Sequence, residues 1–318
     1  MDKTKLIVVA GPTASGKTAL AVRIAAAVNG EVISADSMQV YKGMGIATAA
    51  PTAEEMQGVP HHLVECVGRE TPFSVSDFRK AAQEIIKEIA ARGKTPVIAG
   101  GTGLFIDSLV DNVNFIETEN DDRLRERLMA KSADELYGAL SAIDPQSAEK
   151  IHKNNKKRVA RALEIYYLTG KTKSEADREA LKQGSPYETL YFVIEFKNRE
   201  QLYERINRRV DSMLEHGLVN EAKACLASGG KTAAQAIGHK ELLPYFCGAQ
   251  MLEQAVLNIK KETRRYAKRQ ITWFKRRSSA VRLYADDIGE HDIAAEAVRI
   301  SRDFIYGKRE TGENEKKA

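Results

Sequence analysis

LIVVAGPTASGKTALAVRIAAAV, residues 6–28, sets an apolar β-branched run, a glycine loop and an alanine-rich helical stretch in direct succession. Inside it, residues 11–18 read G-x-x-x-x-G-K-[ST], with Gly11, Gly16, Lys17 and Thr18 at the defining positions. A strand that feeds such a loop and then a helix is the context that makes the pattern a phosphate-binding loop. The glycines let backbone N–H groups converge on an anion at a helix N-terminus. Thr13, Ala14 and Ser15 complete the loop, Lys17 adds a point charge, and Thr18 offers a hydroxyl to Mg²⁺. The motif specifies a polyphosphate with magnesium. It does not specify a nucleoside triphosphate.

Outward from this loop, short β-rich runs alternate with helical stretches: LIVVA (6–10), EVISAD (31–36), HHLVECV (61–67), TPVIAGG (95–101), LYFVIEF (190–196) and VRLYAD (281–286). SVSDFRKAAQEIIKEIAARG (74–93) has a cap residue, helical periodicity and a glycine stop. That alternation predicts an α/β protein with a largely parallel sheet covered on both faces. From 119 to 184 no strand is evident, only charged helical stretches, and residues 199–280 again read as helical. The expected organisation is a discontinuous core, 1–115 and 189–307, an α-helical insertion at 116–188, and a polar, disordered tail at 308–318. The insertion's thin apolar content suggests a lid.

The composition is that of a globular chain, 43% hydrophobic and 29% charged, with no apolar run near the length of a membrane span. The start, MDKTKLIVVAGP, lacks a signal peptide's long apolar region. Cys66, Cys225 and Cys247 lie far apart and read as buried free thiols, which fits a reducing cytoplasm. Net charge is +5, but residues 256–282 carry ten Lys/Arg against Glu262 alone, so the remainder is net acidic. A block of one sign points to a polyanion partner as much as to an ordinary basic helix.

Asp36, in SADSMQVY (34–41), ends the second predicted strand, and ligands of open α/β sheets bind at the carboxyl ends of strands. VISAD is the nearest thing to a Walker-B strand, yet Ser34 and Ala35 make it a poor match, so Asp36 reads as a magnesium carboxylate or a general base. GGTGLF (100–105) follows the next strand, where its glycines allow close backbone approach and Thr102 offers a hydroxyl. His61 and His62 are adjacent but have no third ligand nearby in sequence, which argues against a metal site.

In this order, GPTASGKT, SADSMQVYKGMGIATAAPT, GGTGLF, RVARALEIY, RINRRVDSMLEHGLVNE, AIGHKE and KRQITWFKRR resemble the bacterial tRNA dimethylallyltransferase (isopentenyl-tRNA transferase) family over about residues 6–277. The resemblance implies a P-loop kinase-like core with a helical insertion. It also implies transfer of a dimethylallyl group from dimethylallyl diphosphate to the exocyclic N6 of the adenosine 3′ of the anticodon, in tRNAs reading codons that begin with U. The loop at 11–18 would then hold an isoprenoid diphosphate, with Mg²⁺ at Thr18. Asp36 matches the family's catalytic aspartate, and Thr102, Lys17 and Arg209 complete the implied catalytic set. Ser37, Met38, Gln39, Asp36 and Thr102 would line the acceptor base. Arg125, Arg158 and Arg161 in the insertion, and Lys268, Arg269, Gln270, Trp273 and Lys275 in the basic block, would contact tRNA. The partners implied are the tRNA anticodon stem-loop and dimethylallyl diphosphate, with no membrane and a monomeric, cytoplasmic enzyme.

Two stretches depart from the family pattern. Asn155, Lys156 and Lys157 precede the insertion arginine where an N-D-P-Q run is frequent, and His239 stands where tyrosine is usual. Rival readings on the same residues are a small-molecule or nucleotide kinase, an RNA-binding GTP/ATP switch, and an adenylate isopentenyltransferase. The absence of N-K-x-D weighs against the GTP form, and the last would not need the basic block.

Overall fold

A computed structural model of the chain describes residues 3–112, 121–227, 230, 232–286 and 290–307. The chain divides into two compact units, Met1–Ile106 with Tyr187–Ala318, and Asp107–Pro186. The tail expected at 308–318 and the boundary expected at 115/116 lie outside the described residues.

The first unit is built on a six-stranded sheet: β1 (Thr4–Ala10), β2 (Gly30–Ser34), β3 (His61–His62), β4 (Thr95–Gly100), β5 (Tyr187–Glu195) and β6 (Val281–Tyr284). The spatial order is β3-β2-β4-β1-β5-β6 and every pairing is parallel. All carboxyl ends therefore point to one edge. Residues 6–10 of β1 are fully buried, as a central parallel strand requires. One face of the sheet packs on helix Lys17–Ala27 through Leu20, Ile24 and Ala25, and on Ile293 and Ala297 of helix Glu290–Tyr306. Helix Val75–Ala91 starts on a Ser74/Asp77 capping box and buries Phe78, Ile86 and Ile89; the Phe78 ring stacks on Phe105 at 4.4 Å.

One predicted strand shrinks. HHLVECV pairs with β2 only at His61 and His62; Leu63 and Glu65 then turn through positive φ. Glu65, Cys66 and Val67 give their N–H groups to the carbonyls of Gln39 and Val40 instead, following the loop after β2 rather than the strand itself. The thiol expectation also needs correction: Cys225 is buried, but Cys66 and Cys247 are exposed; as expected, none of the three is in a disulfide.

The second unit consists of helices Asp122–Ala130, Ala133–Ile143, Pro145–Lys150, Lys156–Thr169 and Lys173–Gln183. Its apolar content suffices for a core of its own, in which Leu124, Leu128, Leu136, Leu140, Val159 and Leu163 are buried together. Asn155, one of the departures, caps helix Lys156–Thr169, and Lys156 donates to the Met129 carbonyl at 2.6 Å.

Glu31 of β2 is 3% exposed and accepts from Arg92, Lys94 and His62, each at 2.8 Å. Burial pushes its carboxyl up, but Lys94, His62 and Arg92 together outweigh burial and hold the pKa at about 2, against an ordinary 4.5. A depressed carboxylate stabilises the fold fully above its ordinary value and loses that contribution as pH falls toward its folded value. Glu31→Gln should cost roughly 1.5–3 kcal/mol at neutral pH, toward the lower end because Arg92 and Lys94 are partly solvated. Urea unfolding should show the gap to wild type closing as pH falls from about 4.5 to about 2; a gap constant over that range would remove Glu31 from this role.

Candidate active site

Three loops leave the carboxyl edge of the sheet side by side: residues 11–16 after β1, 35–39 after β2 and 101–102 after β4. The first wraps into helix Lys17–Ala27, with Gly16 at φ 92° as its N-cap, a conformation suited to glycine. Ala14 also has positive φ, 62°, which costs a non-glycine residue about 1–2 kcal/mol. Its carbonyl is held by Arg205 Nε at 2.9 Å, so the turn is braced from helix Arg199–Glu215. The Lys17 ammonium bonds back to the Pro12 carbonyl at 2.7 Å, and Ser15 Oγ is buried without a hydrogen-bond partner. A helix N-terminus, a cation and an unpaired hydroxyl are the features an anion would meet at this loop.

Asp36 follows β2 directly. Its Oδ1 accepts the N–H groups of Met38 at 2.9 Å and Gln39 at 3.3 Å, which fixes the carboxylate in the turn. Thr102 lies against it: its hydroxyl accepts Ser37 N–H at 3.1 Å, and its own N–H donates to the Ala35 carbonyl at 3.1 Å. Gln39 is spent internally. It accepts from Ser34 Oγ at 2.8 Å and donates to the carbonyls of Thr48 and Ala49, holding helix Gly45–Thr48 beside the cleft.

Helix Arg199–Glu215 presents Arg205 and Arg209, one turn apart on one face, while Arg208 beside them is exposed. Burial distinguishes Arg205 and Arg209 from Arg208, although all three border the same cleft. Burial and the nearby Arg209 lower the Lys17 pKa to about 7, against a smaller opposing pull from Asp36. Burial also draws the Arg209 guanidinium down, opposed by Asp36 and Glu55. Two cations and one carboxylate thus share a space of low solvation.

Helix Leu252–Phe274 closes the site. Its inner face sets Ile259, Thr263, Tyr266 and Gln270 along a cleft of about 1290 Å³ that also takes in the phosphate loop, Asp36, Ser37, Met38 and Gln39. Burial, reinforced by Asp36, raises the Tyr266 phenol, which stays a hydrogen-bond donor. Sequence reading missed Tyr266, Arg205 and Glu221. The first was hidden among charges, although its four-residue spacing from Gln270 marked an inward stripe. Glu221 accepts the N–H groups of Ile46 and Ala47 at 2.8 and 2.9 Å, and its carboxylate also meets His239 Nε2 at 2.9 Å. His239 is fully buried in that clamp, so its role there is structural.

Lys268 on the outer side of the same helix, Arg269 at the rim of the cleft 5.6 Å over the Tyr266 ring, and Lys275 and Arg276 at the helix C-terminus are all exposed; Arg276 sits 4.5 Å over the half-buried Trp273 ring. The rest of the block is partly committed: Lys260 pairs with Asp211, Arg265 with Glu262 and Arg282 with Glu195. Gln270 differs from its charged neighbours, being 5% exposed with its amide bonded inside the protein. In the second unit, Arg125 grips buried Glu164 through two bonds of 2.8 and 2.9 Å, Arg161 reaches the same carboxylate at 3.1 Å, and Arg158 is exposed. His61 donates to the Val59 carbonyl and His62 meets Glu31; no metal-binding group of three His, Cys, Asp or Glu occurs among the described residues.

A parallel sheet whose central strand runs into this loop defines a P-loop kinase-like protein. The family is resolved by comparison: the chain matches the model described as IPP transferase over residues 39–277 and belongs to that family. It is 45% identical over 313 residues to a tRNA dimethylallyltransferase of Caldanaerobacter subterraneus subsp. tengcongensis, covering 96% of this chain and 98% of the relative. A solved tRNA delta(2)-isopentenylpyrophosphate transferase from Staphylococcus epidermidis is 42% identical with a TM-score of 0.69, covering 94% of this chain and 99% of that one. A eukaryotic dimethylallyltransferase, solved acting on tRNA, is 34% identical with a TM-score of 0.85, covering 98% of this chain and 81% of that one.

With its pKa near 7, Lys17 is charged below that pH and increasingly neutral above it. An anion in the loop favours the ammonium, so binding above pH 7 must draw a proton to Lys17. Calorimetry with inorganic diphosphate at pH 8, in buffers of different ionisation enthalpy, should show wild type taking up up to roughly one proton more than Lys17→Ala. Equal proton counts would remove Lys17 from the anion site.

Proposed function

We infer that the chain transfers a dimethylallyl group from dimethylallyl diphosphate to the exocyclic N6 of the adenosine 3′ of the anticodon, in tRNAs reading codons that begin with U, releasing diphosphate. The observation that carries this reading is the cleft shared by the phosphate-binding loop, Asp36 and Ser37, the latter bonded to Thr102 just outside it, and the inner face of a helix whose outer face is basic. A kinase needs the first of these; only transfer to a nucleic acid needs all three.

As the allylic C–O bond loosens, positive charge spreads over the allyl group and negative charge gathers on the leaving diphosphate. Loop amides, Lys17 and Arg209 face that charge before the reaction starts, which is where such stabilisation is most effective. The N6 amine is a poor nucleophile because its lone pair is delocalised into the ring. Asp36 holds one carboxylate oxygen in its turn; the other accepts the N6 proton as the C–N bond forms. Thr102, bonded to Ser37, orients the amine. A base in a tRNA loop swings out of its stack more cheaply than one in a duplex, which brings N6 to Asp36. The exposed cations of the basic block, together with Arg125, Arg158 and Arg161, meet tRNA phosphates.

The donor set suits magnesium. The cleft offers the Thr18 hydroxyl and the Asp36 carboxylate, and Mg²⁺ bound largely through phosphate oxygens and water needs no more than one or two protein oxygens. Held at Thr18, it would neutralise charge on the diphosphate. Among the described residues no helix is long and apolar enough to cross a membrane, and the reading is of a monomer working in the cytoplasm.

Radiolabelled dimethylallyl diphosphate offered with bulk tRNA or with free AMP tests the reaction: label should enter tRNA alone, and label in AMP would transfer the assignment to an adenylate isopentenyltransferase. Asp36→Ala should keep tRNA affinity and lose at least ~10²-fold in turnover; near-normal turnover would cancel its role as base. Lys268, Arg269, Lys275 and Arg276 changed together to Ala should weaken tRNA binding and flatten its log–log salt dependence by roughly 0.7–0.9 per lost phosphate contact. A folded quadruple variant with the wild-type slope would make the block an ordinary solvated face.

A further inference from the structure

Gln270 sits in the middle of the basic block, yet none of its polar atoms is turned outward. It is 5% exposed. Its Oε1 accepts the N–H of Thr13 in the phosphate loop at 2.8 Å, and its Nε2 donates to the carbonyl of Gly101 in the loop after β4 at 3.0 Å. The amide's orientation follows from its partners, since one end meets a donor and the other an acceptor. The site is shaped around it: a Cβ on Gly101 would lie 2.1 Å from Nε2, so only glycine leaves room for this bond.

We propose that Gln270 is a positioning residue for group transfer, a strut that holds the phosphate loop at a fixed distance from the loop carrying Thr102. The two loops serve different substrates, one the leaving diphosphate and the other the accepting amine. Between them no other side chain among the described hydrogen bonds spans both main chains. The strut stands on helix Leu252–Phe274, next to exposed Arg269 and one turn from half-buried Trp273, whose ring in turn packs on Gly103; a Cβ there would lie 2.2 Å from Trp273 Cδ1. One helix therefore sets the separation of both reacting partners on its inner side and carries cations on its outer side. Group transfer depends steeply on that separation: a displacement of about 1 Å can cost about 10²-fold in rate.

The kinetic consequence rests on the transfer reading above, so the test has two arms. In the first, binding alone is read. Gln270→Met, matched in length but without the amide, should bind inorganic diphosphate about tenfold or more weakly by calorimetry, because Thr13 N–H is no longer fixed, while tRNA affinity stays within about threefold of wild type. In the second arm, kcat for prenyl transfer should fall about 10²-fold, more than any change in KM for tRNA. Gln270→Glu supplies the control for folding and for chemistry. Protonated, its carboxyl reproduces both bonds, donating O–H to Gly101 and accepting from Thr13; ionised, it sets an oxygen against the Gly101 carbonyl. Its kcat relative to wild type should therefore rise as pH falls. Asp36, Lys17, Arg205, Arg209, Arg269 and Tyr266 face the same cleft in both proteins, so the wild-type profile measured alongside carries the titration the two share, and the Gln270→Met profile, which adds no charge, separates it from that of the new carboxyl. A wild type that binds diphosphate and transfers prenyl groups, with both variants matching it at every pH, would overturn the strut. So would a loss confined to tRNA affinity, which would make Gln270 an RNA contact. A wild type that binds diphosphate but transfers nothing would overturn the transfer reading while the binding arm still decides the strut.

Discussion

Everything at the site depends on how closely the backbones approach at the carboxyl edge of β1, β2 and β4. A Cβ on Gly100 would lie 2.2 Å from the Ala35 carbonyl oxygen, and one on Gly103 would meet the Trp273 ring at the same distance. These are not positions where a neighbour can yield a few tenths of an ångström. The parallel register of β2 with β4 sets Ser34 beside Ala99, so the loops that follow emerge in contact, and glycine alone permits it. Closeness of backbone is what gathers Asp36, Thr102 and the phosphate loop at one edge of the sheet.

On that steric frame an electrostatic imbalance is imposed. Lys17 and Arg209 are held near each other with burial opposing the charge on both, and Asp36 compensates them only in part. Such an arrangement is unfavourable in an empty site and favourable once a polyanion enters, the more so as charge grows on a leaving diphosphate. The same loop would serve phosphoryl transfer equally well. On the transfer reading, what separates the two chemistries is the second loop, where a carboxylate fixed by two backbone N–H groups faces the cleft in place of a clean Walker-B strand.

Much of this was legible in the chain. The phosphate loop reads from four residues because its requirements are local: a left-handed turn at Gly16, a helix N-terminus and a cation. Asp36 and the glycines at 100–103 read from their place after β-rich runs. The strand at 61–67 misled because β-branched residues and alternation describe a surface to be packed, and they do not reveal that Cys66 and Val67 find their partner in Val40. Arg205, Arg208 and Arg209 could not be separated because three arginines within five residues of a helix differ only in which face meets the phosphate loop and helix Leu252–Phe274. Gln270 looked like part of an RNA-facing block for the same reason. Charge density is a property of the segment, whereas burial at one position belongs to the tertiary fold.

The insertion shows how a thin-looking sequence can still hold charged groups firmly. Its leucines close a core without help from long apolar runs, and within it the buried Glu164 receives both Arg125 and Arg161. Two guanidiniums on one carboxylate leave one positive charge in excess, with both side chains already restrained. Burial opposes ionisation of that carboxyl, but the two arginines prevail and hold its pKa down, so the cluster keeps its sign at neutral pH. A phosphate meeting such a cluster need not immobilise two flexible side chains at the moment of binding, and that ordering cost is a large part of what association must overcome.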